Sequence, residues 1–239
     1  MDGVEPTNRL LTTMHDTLQF SDDVAAQHRR IDATQYDGVY VVGDVHGCRR
    51  TLDRLLDRLA VTDDDLVVFV GDLVRKGPDS AGVLELVRER ANLASVRGNN
   101  EQKLVDGRKD DAGLTDEQVD YLESLPLAVS FDDALVVHGG VDPTRAFDEQ
   151  DPDTLLTRRD GDESAFWWDD YAGDYRVFFG HTVHEAPVVR EHAVGLDTGA
   201  VYGGELTAYD YRAGEFVTVE PDAEHEHRPA EKFLAPGNA

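Results

Sequence analysis

Residues 65–72 read DLVVFVGD, five apolar residues followed by a glycine and an acid. A continuous β-branched and aromatic run of this length predicts a strand buried on both faces. The glycine permits a sharp turn or a close approach of the backbone, and the strand then presents Asp72 at its carboxyl end. Open α/β sheets place their binding sites at this end of their strands. Taken alone, the acid could equally cap the following turn.

The same pattern occurs at residues 39–47, which read VYVVGDVHG. An apolar run again ends in Gly-Asp, here at Asp44, and His46 follows two residues later. Packing alone does not explain two strands that end in Gly-Asp so close together in the chain. We therefore expect both acids to belong to one functional site.

Strands and helices alternate through the first half of the chain. Leucines recur at helical spacing in residues 49–60, and Ser80 can cap a second helix that ends near residue 91. A short strand follows at residues 93–96. This order of elements predicts a parallel sheet with right-handed crossovers.

Three segments differ in composition along the chain. Residues 1–37 are polar with weak helical periodicity, which predicts an N-terminal helical extension without strands. Residues 38–220 carry the alternating apolar runs and form the predicted domain. Residues 221–239 are charged and contain proline, which predicts a disordered acidic tail.

The chain is strongly acidic, with 49 Asp and Glu against 23 Lys and Arg and a net charge of −26 over 239 residues. The acids are spread along the sequence, which favours adaptation to a high-salt cytosol over a single acidic tail. A charge of this sign argues against a nucleic-acid partner, and hence against a nuclease. Anionic small substrates remain compatible with it if the site supplies metal ions and arginines.

The sequence also indicates a cytoplasmic protein. No apolar stretch approaches the roughly 20 residues of a membrane span, and the acidic N-terminus is unlike a signal peptide. Cys48 is the one cysteine, so an internal disulfide is excluded, as suits a reducing compartment.

Five segments each place a metal-type ligand at the end of an apolar strand or in the loop that follows. A single glycine-flanked histidine is equally well explained as a core residue, but the set as a whole suits borderline divalent ions such as Mn, Fe or Zn. One carboxylate between two such ions can bridge them at about 3.5–4 Å. The candidate ligands are Asp44, His46, Asp72, Asn99, His138 and His181.

These segments resemble the five motifs of calcineurin-like metallophosphoesterases of the phosphoprotein-phosphatase superfamily. In chain order they are GDVHG at 43–47, GD at 71–72, GN at 98–99, HGG at 138–140 and GHT at 180–182. Residues 196–204, LDTGAVYGG, are similar to the C-terminal segment of bacterial protein phosphatases and symmetrical dinucleoside tetraphosphatases. The resemblance covers about residues 38–212 and implies an α/β fold of two mixed β-sheets, packed as a sandwich and flanked by helices.

The resemblance also implies two divalent ions, with Mn favoured and Fe, Zn, Co or Ni as alternatives. In this family a hydroxide held between the ions attacks phosphorus in line with the leaving oxygen, so a hydrolase of phosphate esters or anhydrides is expected. The implied roles are Asp44 and His46 on the first ion, Asp72 between both ions, and Asn99, His138 and His181 on the second.

Two positions depart from the motifs of the family. Arg75-Lys76-Gly77 stands where the family has Asp-Arg-Gly, and Asn100 stands where it has the histidine assigned as general acid. Lys76 can supply charge to a phosphate but not a bidentate fork. His184, three residues after His181, is a candidate replacement acid, although a surface histidine explains it as well.

Arginines near the motifs are further candidates for binding substrate phosphate. They are Arg75, Arg97 and Arg159, and Arg159 fits the position of a later arginine of the family, although Arg158-Arg159 can also be a solvated pair.

The departures bear on the substrate. Without the acid pair, dinucleoside polyphosphates, other anhydrides or nucleotides are slightly favoured over phosphoserine. A Ser/Thr protein phosphatase is the alternative enzyme, and a non-catalytic phosphate- or nucleotide-binding protein that keeps its metals is the alternative of another class. The sequence leaves the oligomeric state open.

Overall fold

The computed structural model describes residues 18–109, 113–158 and 166–235. In these ranges the chain forms two mixed β-sheets with helices on their outer surfaces, which confirms the predicted fold class. Residues 1–17 and 236–239 of the predicted extension and tail lie outside the described residues. Every helix of the described ranges is too short or too polar to cross a membrane.

The strands and helices follow the predicted alternation closely in the first half of the chain. The strands are β1 (His28–Arg30), β2 (Val39–Val42), β3 (Leu66–Phe69), β4 (Leu93–Ser95), β5 (Ala128–Phe131), β6 (Ala134–Val137), β7 (Arg176–Phe179), β8 (Val188–Val189), β9 (Ala193–Gly195), β10 (Leu206–Asp210) and β11 (Glu215–Val219). The α-helices are α1 (Asp22–Ala25), α2 (Arg49–Arg58), α3 (Ser80–Glu89), α4 (Asn99–Val105), α5 (Asp116–Ser124), α6 (Pro152–Thr157) and α7 (Trp167–Asp170).

Each sheet contains a parallel portion that ends near the site. The first sheet has the order β1-β5-β6-β7-β9-β8, in which β6, β7 and β9 run parallel. The second has the order β11-β10-β2-β3-β4, in which β2, β3 and β4 run parallel. The predicted parallel sheet therefore exists as part of a mixed sheet.

Strand β3 shows why its sequence is apolar at every position. Leu66 and Val68 lie in the core between the sheets, together with Val136 and Phe178 of the first sheet. Val67 and Phe69 point to the other face, where α2 and α3 cover the second sheet. All four strand residues are buried, as the sequence predicted for a two-sided strand.

The prediction of an N-terminal extension without strands is wrong. Strand β1 pairs in parallel with β5 at the edge of the first sheet. Arg29 and Arg30 are exposed there. A strand with exposed side chains needs no apolar run, so its sequence carries no strand pattern.

The prediction of a disordered tail is wrong up to residue 235. His225 N–H donates to Val201 O at 3.0 Å, and Leu234 N–H donates to Val183 O at 3.0 Å. The Phe233 ring lies 6.4 Å from the Tyr202 ring. Backbone hydrogen bonds and one aromatic contact thus fix a segment whose charged composition resembles a tail. The boundaries of the domain at residues 38 and 220 stay a prediction.

Candidate metal centre

The parallel strands of both sheets deliver polar side chains to one place. These strands are β2, β3 and β4 of the second sheet and β6, β7 and β9 of the first. The residues that follow them are Asp44, His46, Asp72, Asn99, His138, His181 and Asp197. The structure therefore brings all six predicted ligands together and adds Asp197.

Asp72 lies at the centre of this group. One carboxylate oxygen, Oδ1, is 3.4 Å from Nε2 of His138. The other, Oδ2, is 3.6 Å from Nε2 of His46. Each oxygen faces a different histidine, which is the arrangement that a bridging carboxylate requires.

The first group of ligands is compact and buried. Asp44, His46 and Asp72 each offer one ligand atom, and these atoms all lie within 4.8 Å of one another. His46 Nδ1 contacts Val74 O at 3.2 Å. Because a carbonyl only accepts, Nδ1 carries the proton and Nε2 keeps the lone pair that a metal binds.

The second group consists of His138, His181 and Asn99. His138 Nδ1 donates to Val70 O at 2.8 Å, which leaves its Nε2 facing Asp72. The rings of His138 and His181 are 5.2 Å apart. The Asn99 Nδ2 group faces both rings, while its Oδ1 accepts a hydrogen bond from Lys103 Nζ at 2.6 Å. Metal binding by the oxygen of Asn99 requires this amide to turn over.

Two glycines allow the carboxylates to approach the neighbouring backbone. A Cβ at Gly180 would lie 2.0 Å from Oδ1 of Asp44, and one at Gly98 would lie 2.3 Å from Oδ1 of Asp72. Any side chain at either position would displace a predicted ligand. The Gly-Asn and Gly-His pairs of the sequence are thus explained by close approach rather than by turn geometry.

Glu101 is a buried residue of the site to which the sequence assigned no role. Its Oε2 accepts from the backbone N–H groups of Asp72 at 2.8 Å and Gly98 at 2.7 Å. Its Oε1 accepts from Val74 N–H at 3.1 Å. Glu101 therefore fixes the two loops that carry Asp72 and Asn99. Burial, with Asp72 close by, raises the pKa of Glu101 to about 8, although the three N–H donors act against this.

Asp197 is the ligand-type residue that sequence reasoning missed. It follows β9 at the same end of the sheet and is 3% exposed. The signal was present, because an apolar run precedes the acid, but the run is short and lacks the Gly-Asp pair. Burial raises the pKa of Asp197 above its usual range.

The cluster holds more negative charge than its protein neighbours neutralise. Burial, followed by Asp197 and Asp72, raises the pKa of Asp44 well above its usual range. Burial acts in the same direction on Asp72, but the nearby His138 and the ammonium of Lys76 hold the pKa of Asp72 below its usual range. Burial lowers the pKa of His46 to about 3, so its imidazole is neutral. Buried carboxylates beside the neutral imidazole of His46 fit divalent metal ions.

The two departures from the expected motifs form a hydrogen-bonded chain that ends at Asp72. Arg75 Nη1 donates to Oδ1 of Asn100. Asn100 Nδ2 in turn donates to Oδ2 of Asp72 at 2.5 Å, and its backbone N–H donates to Oδ1 at 2.8 Å. Asn100 is thus placed beside the central carboxylate, where it contributes an amide donor and no transferable proton. Lys76 also reaches the cluster, with Nζ 2.8 Å from Nε2 of His46.

Two other predicted residues make their contacts away from the ligand cluster. Arg97 donates to Leu125 O at 3.2 Å and 3.1 Å and to the side chains of Gln102 and Gln27, so it joins neighbouring segments rather than the phosphate site. His184 is 1% exposed, which contradicts a surface position, and its ring packs 5.3 Å from Trp168 in the core outside the first sheet. Burial lowers the pKa of His184 to about 4. Arg159 lies outside the described residues.

With this geometry in place, comparison with known proteins assigns the family. The sequence profile of the calcineurin-like phosphoesterases matches residues 38–213. The chain is a calcineurin-like phosphoesterase. Membership of this phosphoesterase family makes it a hydrolase of phosphoric esters or anhydrides.

Relatives of this phosphoesterase are named for different activities. The asymmetrical bis(5'-nucleosyl)-tetraphosphatase PrpE of Halalkalibacterium halodurans is 30% identical, over 75% of this chain and 92% of its own. Serine/threonine-protein phosphatase 1 of Salmonella typhimurium is also 30% identical, over 75% of this chain and 94% of its own. A solved structure provisionally named a diadenosine tetraphosphatase superposes with a TM-score of 0.74 at 30% identity, covering 81% of this chain and 97% of that one.

Proposed function

We propose that this phosphoesterase cleaves phosphoanhydrides, with dinucleoside polyphosphates as the favoured substrate class. The observation that carries the proposal is the Asn100 amide, which lies 2.5 Å from Asp72 at the position expected for a general acid. An amide donates hydrogen bonds but does not protonate a leaving oxygen. Nucleotide phosphates are weakly basic leaving groups that depart without a proton. A serine alkoxide is strongly basic and needs a proton as it leaves. The relatives named as tetraphosphatases support the same class.

We also propose the metal ligands and the ions. Asp44, His46 and Asp72 would hold one ion, and Asp72 with Asn99, His138 and His181 would hold another. A set of carboxylate, imidazole and amide ligands suits Mn, with Fe, Zn, Co or Ni as alternatives. When bound, such a pair of ions supplies a strong oxygen nucleophile at neutral pH and neutralises phosphate charge.

The residues of the chain itself bind and orient the substrate. Lys76 and Arg75 lie beside the ligand cluster and would neutralise phosphate charge. The Asn100 amide would donate a hydrogen bond to a phosphate oxygen when it is not engaged by Asp72. Glu101 keeps the loops of Asp72 and Asn99 in register through its three backbone hydrogen bonds.

A Ser/Thr protein phosphatase is the second candidate function. The relative from Salmonella typhimurium favours it, because its identity to this chain equals that of the tetraphosphatase. The two candidates share the metal cluster and differ in what leaves phosphorus.

The test is a substrate panel with Mn²⁺ in concentrated KCl. The panel contains a dinucleoside tetraphosphate, p-nitrophenyl phosphate and a phosphoserine peptide. We expect turnover of the first two, and loss of that turnover in Asp44→Asn but not in Asp63→Asn, whose side chain is 97% exposed. Turnover confined to the peptide would replace the anhydride proposal by the protein-phosphatase alternative.

We further propose a salt-adapted, cytoplasmic protein. With a net charge of −26, repulsion between surface carboxylates should destabilise the fold below about 0.1 M salt, where the Debye length reaches about 10 Å. The melting temperature should then rise between dilute buffer and molar KCl, by roughly 2–4 °C for each kcal/mol of repulsion removed. Sucrose is the control, because it stabilises proteins without screening charge. A melting temperature that responds equally to sucrose and KCl would contradict salt adaptation.

A further inference from the structure

Lys76 occupies an unusual position in the loop after β3. Arg75 and Lys76 both have φ of 69°, in the left-handed region that residues with side chains rarely adopt. The loop is held in this form because Gly77 N–H donates to His46 O at 2.8 Å and Arg75 N–H donates to Ser80 Oγ at 2.8 Å. Two consecutive strained residues that are fixed in this way indicate a functional placement of their side chains.

The ammonium of Lys76 is directed at a ligand atom. Its Nζ lies 2.8 Å from Nε2 of His46. Because Nδ1 of that ring donates to Val74 O, the one lone pair of the imidazole is at Nε2. This is the lone pair that a metal ion would use. It accepts either the ammonium N–H or a metal ion, and not both.

The surroundings of the ammonium are those of a cation site. Lys76 acts electrostatically on the three buried carboxylates Asp44, Asp72 and Asp197. Its Nζ also lies 5.2 Å from the centroid of the Tyr202 ring. The chain has only four lysines, and a second one, Lys103, occupies the amide oxygen of Asn99 at 2.6 Å. Both predicted metal positions thus have one ligand atom taken by a lysine.

We propose that Lys76 is a built-in counter-cation that holds the metal-binding nitrogen of His46 in the metal-free protein and releases it when the ion binds. In the metal-free state the ammonium neutralises the buried carboxylates and keeps His46 in its ligand orientation. An ion bound by His46 would displace the ammonium from Nε2, and the freed Lys76 would then be available to bind the substrate phosphate. This inference rests on the proposed binding of metal by His46.

The first measurement is the affinity for Mn²⁺ of protein freed of metal with a chelator, determined by titration calorimetry. Lys76→Met keeps the length of the side chain and removes the competitor. We expect it to bind Mn²⁺ at least about tenfold more tightly, the effect of a single interaction of about 1.4 kcal/mol. Lys109→Met, on an exposed lysine, is the matched control and should leave the affinity unchanged.

The second measurement uses the unaltered protein, so it does not depend on the folding of a variant. Lysines are labelled with an amine-reactive ester and quantified by mass spectrometry with and without Mn²⁺. Labelling of Lys76 should rise on addition of Mn²⁺, whereas labelling of Lys109 and Lys232 should not change. This rise is expected only if the ion displaces the ammonium of Lys76. Electrostatic repulsion between the ammonium and the ion, without movement of the side chain, would leave the labelling of Lys76 unchanged.

The outcomes separate this inference from the proposed function. Normal Mn²⁺ binding with unchanged or reduced labelling of Lys76 would overturn the counter-cation role and leave the metal site intact. An unchanged affinity in a folded Lys76→Met variant would also overturn it. Absence of Mn²⁺ binding by the unaltered protein would overturn the metal-dependent function itself.

Discussion

Asp72→Asn should lower kcat by at least about 10³-fold and reduce the bound Mn²⁺ from two equivalents to one or fewer. Each carboxylate oxygen of Asp72 faces one histidine, at 3.4 Å for His138 and 3.6 Å for His46, so the side chain is placed to contact both of the proposed ions. Two ions that clamp the attacking and leaving oxygens supply several kcal/mol of transition-state stabilisation, which corresponds to roughly 10³-fold or more in rate.

The asparagine variant is informative because it is nearly isosteric. Its amide removes the charge and replaces one acceptor oxygen by an NH₂ group. Oδ2 of Asp72 accepts from Asn100 Nδ2 at 2.5 Å, and Oδ1 accepts from the Asn100 backbone N–H at 2.8 Å. Either orientation of an amide at position 72 therefore sets a donor against a donor. The variant should bind metal more weakly, and the Asn100 side chain should be displaced from its position.

Metal content after loading with Mn²⁺ and removal of excess ion measures the loss of bound metal. Steady-state kinetics on p-nitrophenyl phosphate measure the loss of kcat. Asp63→Asn is the matched control, since it makes the same chemical change at a side chain that is 97% exposed. Two equivalents of Mn²⁺ in the Asp72→Asn protein would show that another group bridges the ions. Asp197 is then the first residue to test, because it is a buried carboxylate in the same cluster.

The arrangement of this cluster was predictable to the extent that it follows from strand ends. Apolar runs locate β2 and β3, and a parallel pair delivers its following residues to one edge of the sheet. Asp44 and Asp72 therefore had to meet. The convergence of the second sheet was not predictable from periodicity, because it depends on how two sheets stack. For His138 and His181 the resemblance to a family supplied what the pattern did not.

The wrong predictions for Arg97 and His184 each have a physical cause. The arginine side chain of Arg97 reads as a phosphate ligand in sequence, but the tertiary structure supplies it with the carbonyl of Leu125 and two glutamines. The sequence around His184 carries no sign that its ring is buried, yet Trp168 packs against it. A single sequence does not show which of its polar groups the fold will bury.

The predictions for strand β1 and for residues 221–235 were wrong for a related reason. Both are held by backbone hydrogen bonds to segments distant in sequence, such as Ile31 N–H to Ser130 O at 2.9 Å and Glu185 N–H to Leu234 O at 2.9 Å. Backbone pairing places little constraint on side chains that face solvent. In an acidic chain such side chains are charged, and a paired segment then has the composition of a disordered one.

The unaltered enzyme should prefer weakly basic leaving groups by at least about 10²-fold in kcat/KM, the contribution of one general acid. An anhydride or an aryl phosphate loses an oxygen that needs no proton. A phosphoserine peptide loses an alkoxide that does. The residue placed beside Asp72 is Asn100, and its amide has no proton to transfer. His184 does not compensate, because its ring is buried against Trp168.

Asn100→His should raise activity on the phosphoserine peptide more than on anhydrides, and the gain should depend on residue 75. Arg75 donates to the side-chain oxygen of Asn100, so its guanidinium would lie beside the new imidazole. A neighbouring positive charge disfavours the protonated imidazole, which is the form that acts as acid. Arg75→Asp reverses this charge and provides an acceptor for the ring.

The four proteins of the cycle are the unaltered enzyme, Asn100→His, Arg75→Asp and the double variant. Each is assayed on a dinucleoside tetraphosphate, p-nitrophenyl phosphate and the phosphoserine peptide. We expect the double variant to exceed the product of the single effects on the peptide and to show no such excess on the anhydride. Both single variants also break the hydrogen bond between Arg75 and Asn100, which can lower kcat/KM for every substrate. Comparison of the single and double variants on each substrate separates this general loss from the effect on the leaving group. Equal kcat/KM for the peptide and the anhydride in the unaltered enzyme would show that a proton donor other than residue 100 serves the site.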